Sequence, residues 1–430
     1  MVSQIEVNMI GSEVSSPPVT GLHSSIPHVS PTPINLSPEE YDKMKDCLVK
    51  DNSDETSSTS NPTVATHAKN AIKIPKTQFE GIIGTALFQT LGPLVQKQQM
   101  KKSKLIEKQV YLPKSKYTMH YLEREPVLNI PKQRNTIMSC INTNYRDQQP
   151  TIILFHGIGQ KAIDFAAFVN KLDIPSNIRI LIPEQAGHGK DVDRAREEGD
   201  EYEQPTHQSM LSTTSEWLDE VRAANNCNAF GISMGGGVAY FIHHHRPDKI
   251  KRAVLVSPAI PCCVDKHLIT GIQDGTNNFF CFESRQDVKL LMRDLSTGRN
   301  DDKRKKKDPI PKFFNEAVYR MHKKNSPEGH YRGLLMNILP TEEGEEEGNV
   351  FTATSDIHAE ATRLIIWPEK DQIINCEQGK AFFKETISDK ENKTEFETIP
   401  DCGHVWHADG RIITDLIQAR TREYLLEFNY

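Results

Sequence analysis

From about residue 106 onward the apolar positions of this chain fall into two alternating patterns. Short runs that are apolar at nearly every position, "TIILF" at 151–155 and "IRILIP" at 178–183, are rich in β-branched residues, as strands covered on both faces require. "KRAVLVSPAI" near 251 and "ATRLIIWPE" near 361 repeat the form. Between such runs Met210, Thr214, Trp217, Leu218 and Val221 recur at helical spacing, and Ile413, Leu416, Ile417, Tyr424 and Phe428 do so for a final helix. The alternation predicts an α/β domain over 106–430 built on a mostly parallel, doubly wound sheet.

Residues 261–360 break this rhythm, because a connection between two strands is normally far shorter. The segment carries helical patterning of its own. Val288, Leu291, Met292 and Leu295 form an apolar stripe behind Ser284 and Asp287, which stand at capping-box spacing, and "FFNEAVYRM" and "YRGLLMNIL" continue in helical style. It is expected to be a helical cap inserted late in the sheet.

Residues 1–75 differ again: rich in Ser, Thr, Pro and Asn and poor in aromatics, they cannot offset their ordering entropy by burial, so a disordered tail is expected. An apolar then basic segment follows at 76–105. Its core, "GIIGTALFQTLGPLV" at 81–95, is too short to span a bilayer. Two readings stay open for it: a helix packed on the domain, or a peripheral membrane contact over 81–104 with Lys101, Lys102 and Lys104 near lipid headgroups.

Bulk composition narrows the partners. The 430-residue chain is 37% hydrophobic, enough for a substantial core, and its net charge of −6 leaves no basic surplus for nucleic acid. The eight cysteines show neither C-x-x-C pairs nor zinc spacing, so free thiols are expected. The first 21 residues lack the basic-then-apolar form of a secretory signal peptide. A cytoplasmic or peripheral membrane location is expected, with signal-independent export left open.

The chemistry centres on "NAFGISMGGGVAYF" at 228–241, where Ser233 stands at G-x-S-x-G spacing between a short "CNAF" segment and a helix-like stretch. A strand, tight turn and helix in that order project a serine hydroxyl above a sheet, and Gly231 and Gly235 would let the chain turn and the helix approach. "FHGIG" at 155–159 ends the first strong strand. Its Ile158 N–H, with the N–H of Met234, would form an oxyanion hole, while His156 is expected to be a packed structural histidine. A serine needs a base oriented by a carboxylate. Asp371 follows the strand-like "LIIWP" and His404 follows "TEFETI", giving the chain order Ser, Asp, His. Glu369, Asp401 and His407 compete for these roles. His243 to His245 point three ways on a helix and are expected to form a solvated helix end rather than a metal site.

"FHGIG", "PEQAGHGKD", "GISMGGG", "VLVSPAI", "LIIWPEKDQII" and "PDCGHV" together resemble the successive blocks of α/β-hydrolase-fold serine hydrolases, with the nearest resemblance to their monoacylglycerol lipase-like branch. "KSKYTMHYLERE" is similar to that branch's opening hairpin, and the segment from "FESRQDVKLLMRDL" to "YRGLLMNIL" is similar to its lid. The resemblance covers about 106–430. It implies Ser233 as nucleophile, Asp371 as acid, His404 as base, and Ile158 and Met234 as oxyanion donors, in agreement with the residue-level reading. The departures are "REEGDEYEQ" at 196–204, "KRKKK" at 303–307, "EEGEEEG" at 342–348 and the long tail. The charged runs are expected to be solvated loops.

The expected reaction is carboxylic ester hydrolysis through an acyl-enzyme, with no metal or organic cofactor. The substrate implied is a monoacylglycerol, lysolipid or similar lipid ester. Apolar cap residues Phe279, Phe280, Leu291, Met292, Phe313 and Phe314 are candidates either for an acyl pocket or for plain cap core. A thioesterase, a carbon–carbon hydrolase or a peptidase on the same fold, and a non-catalytic lipid-binding module, are the alternatives.

Overall fold

The computed structural model of the protein describes residues 93–127, 149–295, 312–325, 329–339, 362–388, 393–406 and 411–427. The expected tail at 1–75 and the charged runs at 303–307 and 342–348 lie outside the described residues. So does the part of the apolar segment before residue 93.

Among the described residues, eight strands form one sheet: β1 (Ile106–Leu112), β2 (Tyr117–Arg124), β3 (Thr151–Phe155), β4 (Arg179–Pro183), β5 (Cys227–Ile232), β6 (Ile250–Val256), β7 (Thr362–Pro368) and β8 (Thr394–Ile399). Their spatial order is β1-β2-β4-β3-β5-β6-β7-β8. β1 and β2 form an antiparallel hairpin, β2 meets β4 antiparallel, and every other pairing is parallel.

The continuous apolar runs are explained by the pleat. Ile153, Phe155, Leu181, Ala229, Leu255 and Ile365 belong to the core on one face, while their chain neighbours Ile152, Leu154, Ile180, Phe230, Val254 and Leu364 belong to the core on the other. Both faces are covered, so alternation of polar and apolar residues has no place in these strands. "CNAF" is the weak case, being short of β-branched residues, yet it extends to the fully buried six-residue β5 between β3 and β6.

The helices that cover the sheet are α1 (Phe165–Leu172), α2 (Lys190–Glu198), α3 (His207–Glu220) and α4 (Met234–His245), with two more after the cap, α9 (Cys376–Ser388) and α10 (Arg411–Leu426). Among the described residues, four cap helices lie between β6 and β7: α5 (Lys266–Asp274), α6 (Arg285–Leu295), α7 (Lys312–Asn325) and α8 (His330–Ile338). The capping box ahead of α6 is formed. The Ser284 N–H donates to Asp287 Oδ2 at 2.7 Å and the Asp287 N–H donates to Ser284 Oγ at 3.3 Å.

Residues 93–103 are helical and packed on the domain. Gln96 and Ser103 are buried, and Asn170 Nδ2 donates to the Gln99 carbonyl at 3.1 Å and to its Oε1 at 2.7 Å. Leu94 and Val95 nevertheless remain exposed. No helix among the described residues is long and apolar enough to cross a membrane.

One expectation fails at the end of α4. His243 is buried rather than solvated, with Arg363 Nε donating to its Nδ1 at 3.4 Å, and burial pushes its imidazole well below the usual value. The cause is the placement of α4, whose residues from Met234 to His243 are all buried, so its last turn has no wet face until His244. The stretch 196–204 also departs from a plain solvated loop: its charged residues are exposed where described, but Tyr202 is buried beneath Arg194.

Candidate active site

The sheet order reverses at β3: the chain moves from β3 to β4 on one side and then to β5 on the other. In a parallel sheet such a reversal opens a crevice beyond the strands' C-terminal ends. The loop after β3 and Ser233 after β5 both stand at that crevice.

Ser233 has φ 53° and ψ −125°, a region that a side-chain-bearing residue occupies only under constraint. Its N–H donates to the Val256 carbonyl at 3.0 Å, and its own carbonyl accepts from Gly237 at 3.0 Å and Ala259 at 2.9 Å. Two glycines make room for the turn. A Cβ on Gly231 would stand 2.2 Å from the Gly235 carbonyl oxygen, and one on Gly235 would stand 2.2 Å from that of Phe155. Both contacts are impossible for a side-chain-bearing residue without moving backbone.

The candidate base and acid come from neighbouring strand ends. His404 Nε2 lies 3.0 Å from Ser233 Oγ, and His404 Nδ1 lies 2.7 Å from Asp371 Oδ2. Asp371 Oδ1 accepts from the backbone N–H groups of Ile373 and Ile374, both at 2.9 Å, which fixes the carboxylate plane. Because a carboxylate only accepts, Nδ1 carries the imidazole proton and Nε2 is left to take the serine's. The two loops are tied together as well: Glu369 N–H donates to the Ile399 carbonyl and Lys370 N–H to that of Cys402, each at 2.9 Å. All three side chains are buried. Among the competitors, Glu369 is exposed, Asp401 is exposed and paired with Lys370, and His407 lies outside the described residues.

The oxyanion candidates flank the serine. Gly157 N–H donates to Gln160 Oε1 at 2.7 Å and Gly159 N–H donates to His188 Nε2 at 3.2 Å, so the amide between them, on Ile158, is the unspent one of the three. The Met234 N–H opens α4 and has no carbonyl one turn earlier to meet. Ile158, Ser233 and Met234 line one cavity. His156 is structural, as expected. It is fully buried, its Nε2 accepts from Gln185 N–H at 3.1 Å, and its carbonyl accepts from Gln185 Nε2.

About 680 Å³ of space, part of it open solvent, lies within that cavity and its mouth. α3 and α4 contribute His207, Met210 and Val238 to its wall, the strap after β6 contributes Pro261 and Val264, and the cap contributes Leu268, Ile272, Phe279, Leu335 and Ile338. Among these lining residues only Ser233 and His207 carry polar side-chain atoms, and burial lowers the His207 pKa to about 3, so its imidazole is neutral. Of the six cap residues named from sequence, Phe279 lines the cavity. Phe280 instead covers the oxyanion loop, where a Cβ on Gly159 would stand 2.7 Å from its ring. Leu291 and Met292 are buried outside the lining, on the α6 stripe that packs along α7. The side chains of Phe313 and Phe314 lie outside the described residues.

Sequence reasoning missed the groups that brace the candidate oxyanion loop: Gln160, Gln185 and His188. For His188 the available signal was "AGHGKD", a histidine between two glycines shortly after a strand, which marks a tight turn with an imidazole at the same sheet edge. Among the described residues, no group of three or more His, Cys, Asp or Glu side chains is arranged to hold a metal ion. The six cysteines among the described residues are free thiols.

Comparison with known proteins agrees with this architecture. Residues 146–310 match the sequence profile of a family described as serine aminopeptidase, S33. No curated protein sequence matches the chain. Among solved structures, the chain is similar to a protein described as a lipase from Acinetobacter baumannii, with 16% identity, TM-score 0.53 and coverage of 77% of this chain and 94% of that one. It is similar also to a membrane phospholipase A described as a bacterial virulence factor, with 13% identity, TM-score 0.51 and coverage of 80% and 94%. A meta-cleavage product hydrolase from Pseudomonas fluorescens shares 15% identity, TM-score 0.50 and coverage of 74% and 96%. The fold is the α/β-hydrolase fold.

Proposed function

We propose, from the premise of an α/β-hydrolase fold with this site, that the protein is a serine esterase that cleaves lipid esters, with a monoacylglycerol or lysolipid as the leading substrate class. The observation that carries the reading is the hydrogen-bonded Ser233, His404 and Asp371 set, whose Ser233 lines a nearly all-apolar cavity. An acyl chain fits such walls, since each buried methylene gains about 0.8 kcal/mol. An aminopeptidase would need a carboxylate to hold the substrate's ammonium group, and no Asp or Glu is among the cavity's described lining residues.

In the reaction, Ser233 Oγ attacks the ester carbonyl carbon while His404 Nε2 takes its proton. The carbonyl oxygen becomes an oxyanion between the Ile158 and Met234 N–H groups, and Asp371 stabilises the imidazolium. Collapse breaks the bond to the alcohol, which leaves with the proton from His404. Water, deprotonated by the same imidazole, then attacks the acyl-enzyme and releases the fatty acid. A panel of p-nitrophenyl esters of rising chain length, run beside monoacylglycerols and acyl-CoA thioesters, tests this. Hydrolysis that improves with chain length and reaches monoacylglycerol supports it, whereas turnover of thioesters alone would replace it.

The same reading extends to a lipid surface. Leu94 and Val95 are exposed in a segment that also carries exposed Lys97, Lys101, Lys102 and Lys104. Replacing Leu94→Glu together with Val95→Glu is expected to reduce co-sedimentation with anionic liposomes, and unchanged sedimentation would remove the membrane contact.

A further inference from the structure

The oxyanion loop is gripped from the cap. His188, which receives the Gly159 N–H on its Nε2, places its Nδ1 3.2 Å from the Ala186 carbonyl, so it carries its proton on Nδ1 and leaves Nε2 to accept. Burial, reinforced by His156, holds this imidazole well below its ordinary pKa and therefore neutral. The residue before it, Gly187, is fixed at both polar atoms. Its N–H donates to Asp191 Oδ2 at 2.8 Å, and its carbonyl accepts from Nε2 of His330 at 2.8 Å. Gln204 Nε2 stands 3.2 Å from the other His330 nitrogen, which sets the tautomer that donates to Gly187. His330 is buried and is the first residue of α8. Further along that helix and just past it, Leu335, Ile338 and Leu339 line the cavity, and the Tyr331 ring lies 6.0 Å from that of His188. One rigid helix thus walls the cavity and holds the turn that braces Gly159.

We propose that His330 is a positioning residue: through Gly187 and His188 it couples the seating of the cap on the substrate's acyl chain to the alignment of the Ile158 oxyanion amide. This rests on the reading of Ile158 as an oxyanion donor in a serine esterase. The coupling follows from contact geometry. Moving α8 away from Gly187 releases the 185–188 turn, and a displaced His188 frees the Gly159 N–H to compete with that of Ile158. The transition state feels this more than the bound ester does, because the oxyanion forms only after attack.

The test compares kcat and KM of the full-length wild type, His330→Ala and His330→Gln on p-nitrophenyl acetate, whose acyl group is too short to fill the cavity, and on a long-chain p-nitrophenyl ester. His330→Ala is expected to lower kcat by about tenfold to a hundredfold on both esters, with KM for the acetate unchanged. His330→Gln, which keeps an N–H donor at similar reach, is expected to recover most of that loss. Gln204→Met, which leaves His330 in place but removes its partner, is expected to give a smaller loss of the same kind and keeps the test open if the alanine variant fails to fold. Unchanged kcat on the acetate, or a raised KM confined to the long ester, would make His330 a mere support of the wall and overturn the proposal. A wild type that neither hydrolyses the esters nor reacts with a fluorophosphonate removes the esterase reading and the proposal together.

Discussion

Ser233, Asp371 and His404 stand just beyond the ends of β5, β7 and β8, and directional hydrogen bonds hold their side chains or the loops that carry them. The cap side of the same cavity is different: Leu268, Ile272, Phe279 and Leu335 meet the space by apolar contact alone. On the proposed esterase reading, floor and roof divide the work. Reaction chemistry depends on angles and lone pairs, which only a backbone network can fix, whereas choice of acyl chain depends on shape and area, which apolar packing supplies. The two are joined where His330 reaches Gly187 and where the Val405 N–H donates to the Leu295 carbonyl at 2.9 Å.

The division makes opposite demands on kinetics. Asp371→Asn alters the floor without changing volume, and by placing an amide beside His404 Nδ1 it favours the wrong tautomer. We expect kcat to fall by about 10⁴-fold with KM for short esters little altered, as progress curves would report. A loss below tenfold would move the orienting role to another group. Ile338→Trp alters the roof alone, extending into the cavity from a half-buried position. Its expected effect is a tenfold to hundredfold rise, roughly, in KM for long-chain esters with acetate turnover preserved. Equal losses on short and long esters would break the division.

A smaller effect separates the regions by pH. His322 in α7 and His207 at the cavity wall are half-buried, and that partial desolvation lowers their pKa values to about 4 and about 3. A histidine with a folded pKa below its unfolded value of about 6.5 binds fewer protons folded than unfolded, so its contribution is full above that pH and lost as pH falls towards the folded value. His188 and His330 shift in the same direction. The melting temperature should therefore decline as the pH is lowered from about 7 to about 4. His322→Phe should flatten part of that slope, and a slope identical to wild type would show that His322 does not carry it.

Much of the floor was legible in the sequence because each part leaves a local mark. "TIILF" and "RLIIW" are strands covered on both faces, glycines bracket Ser233, and Asp371 and His404 each follow a strand. β5 was only half legible, since its six buried residues include Cys227, Asn228 and Gly231, which sequence does not mark as strand. The roof was legible as helices but not as a wall. Whether Leu291 or Leu335 meets the cavity depends on how α6 and α8 turn against their neighbours, and periodicity says only that each has an apolar face. His243 was misjudged for the same reason: a helix end is wet or dry according to what lies against it. What His188 and His330 hold was not legible, beyond the turn that "AGHGKD" marks, because their partners, Gly159 and Gly187, are backbone groups 29 and 143 residues away.

The most direct test of the account is to treat the wild type and Ser233→Ala with a fluorophosphonate and map the adduct by peptide mass spectrometry. A single adduct on Ser233, absent from the alanine variant and slowed in Asp371→Asn, is the predicted result. An unmodified wild type, or an adduct on any other serine, would contradict it.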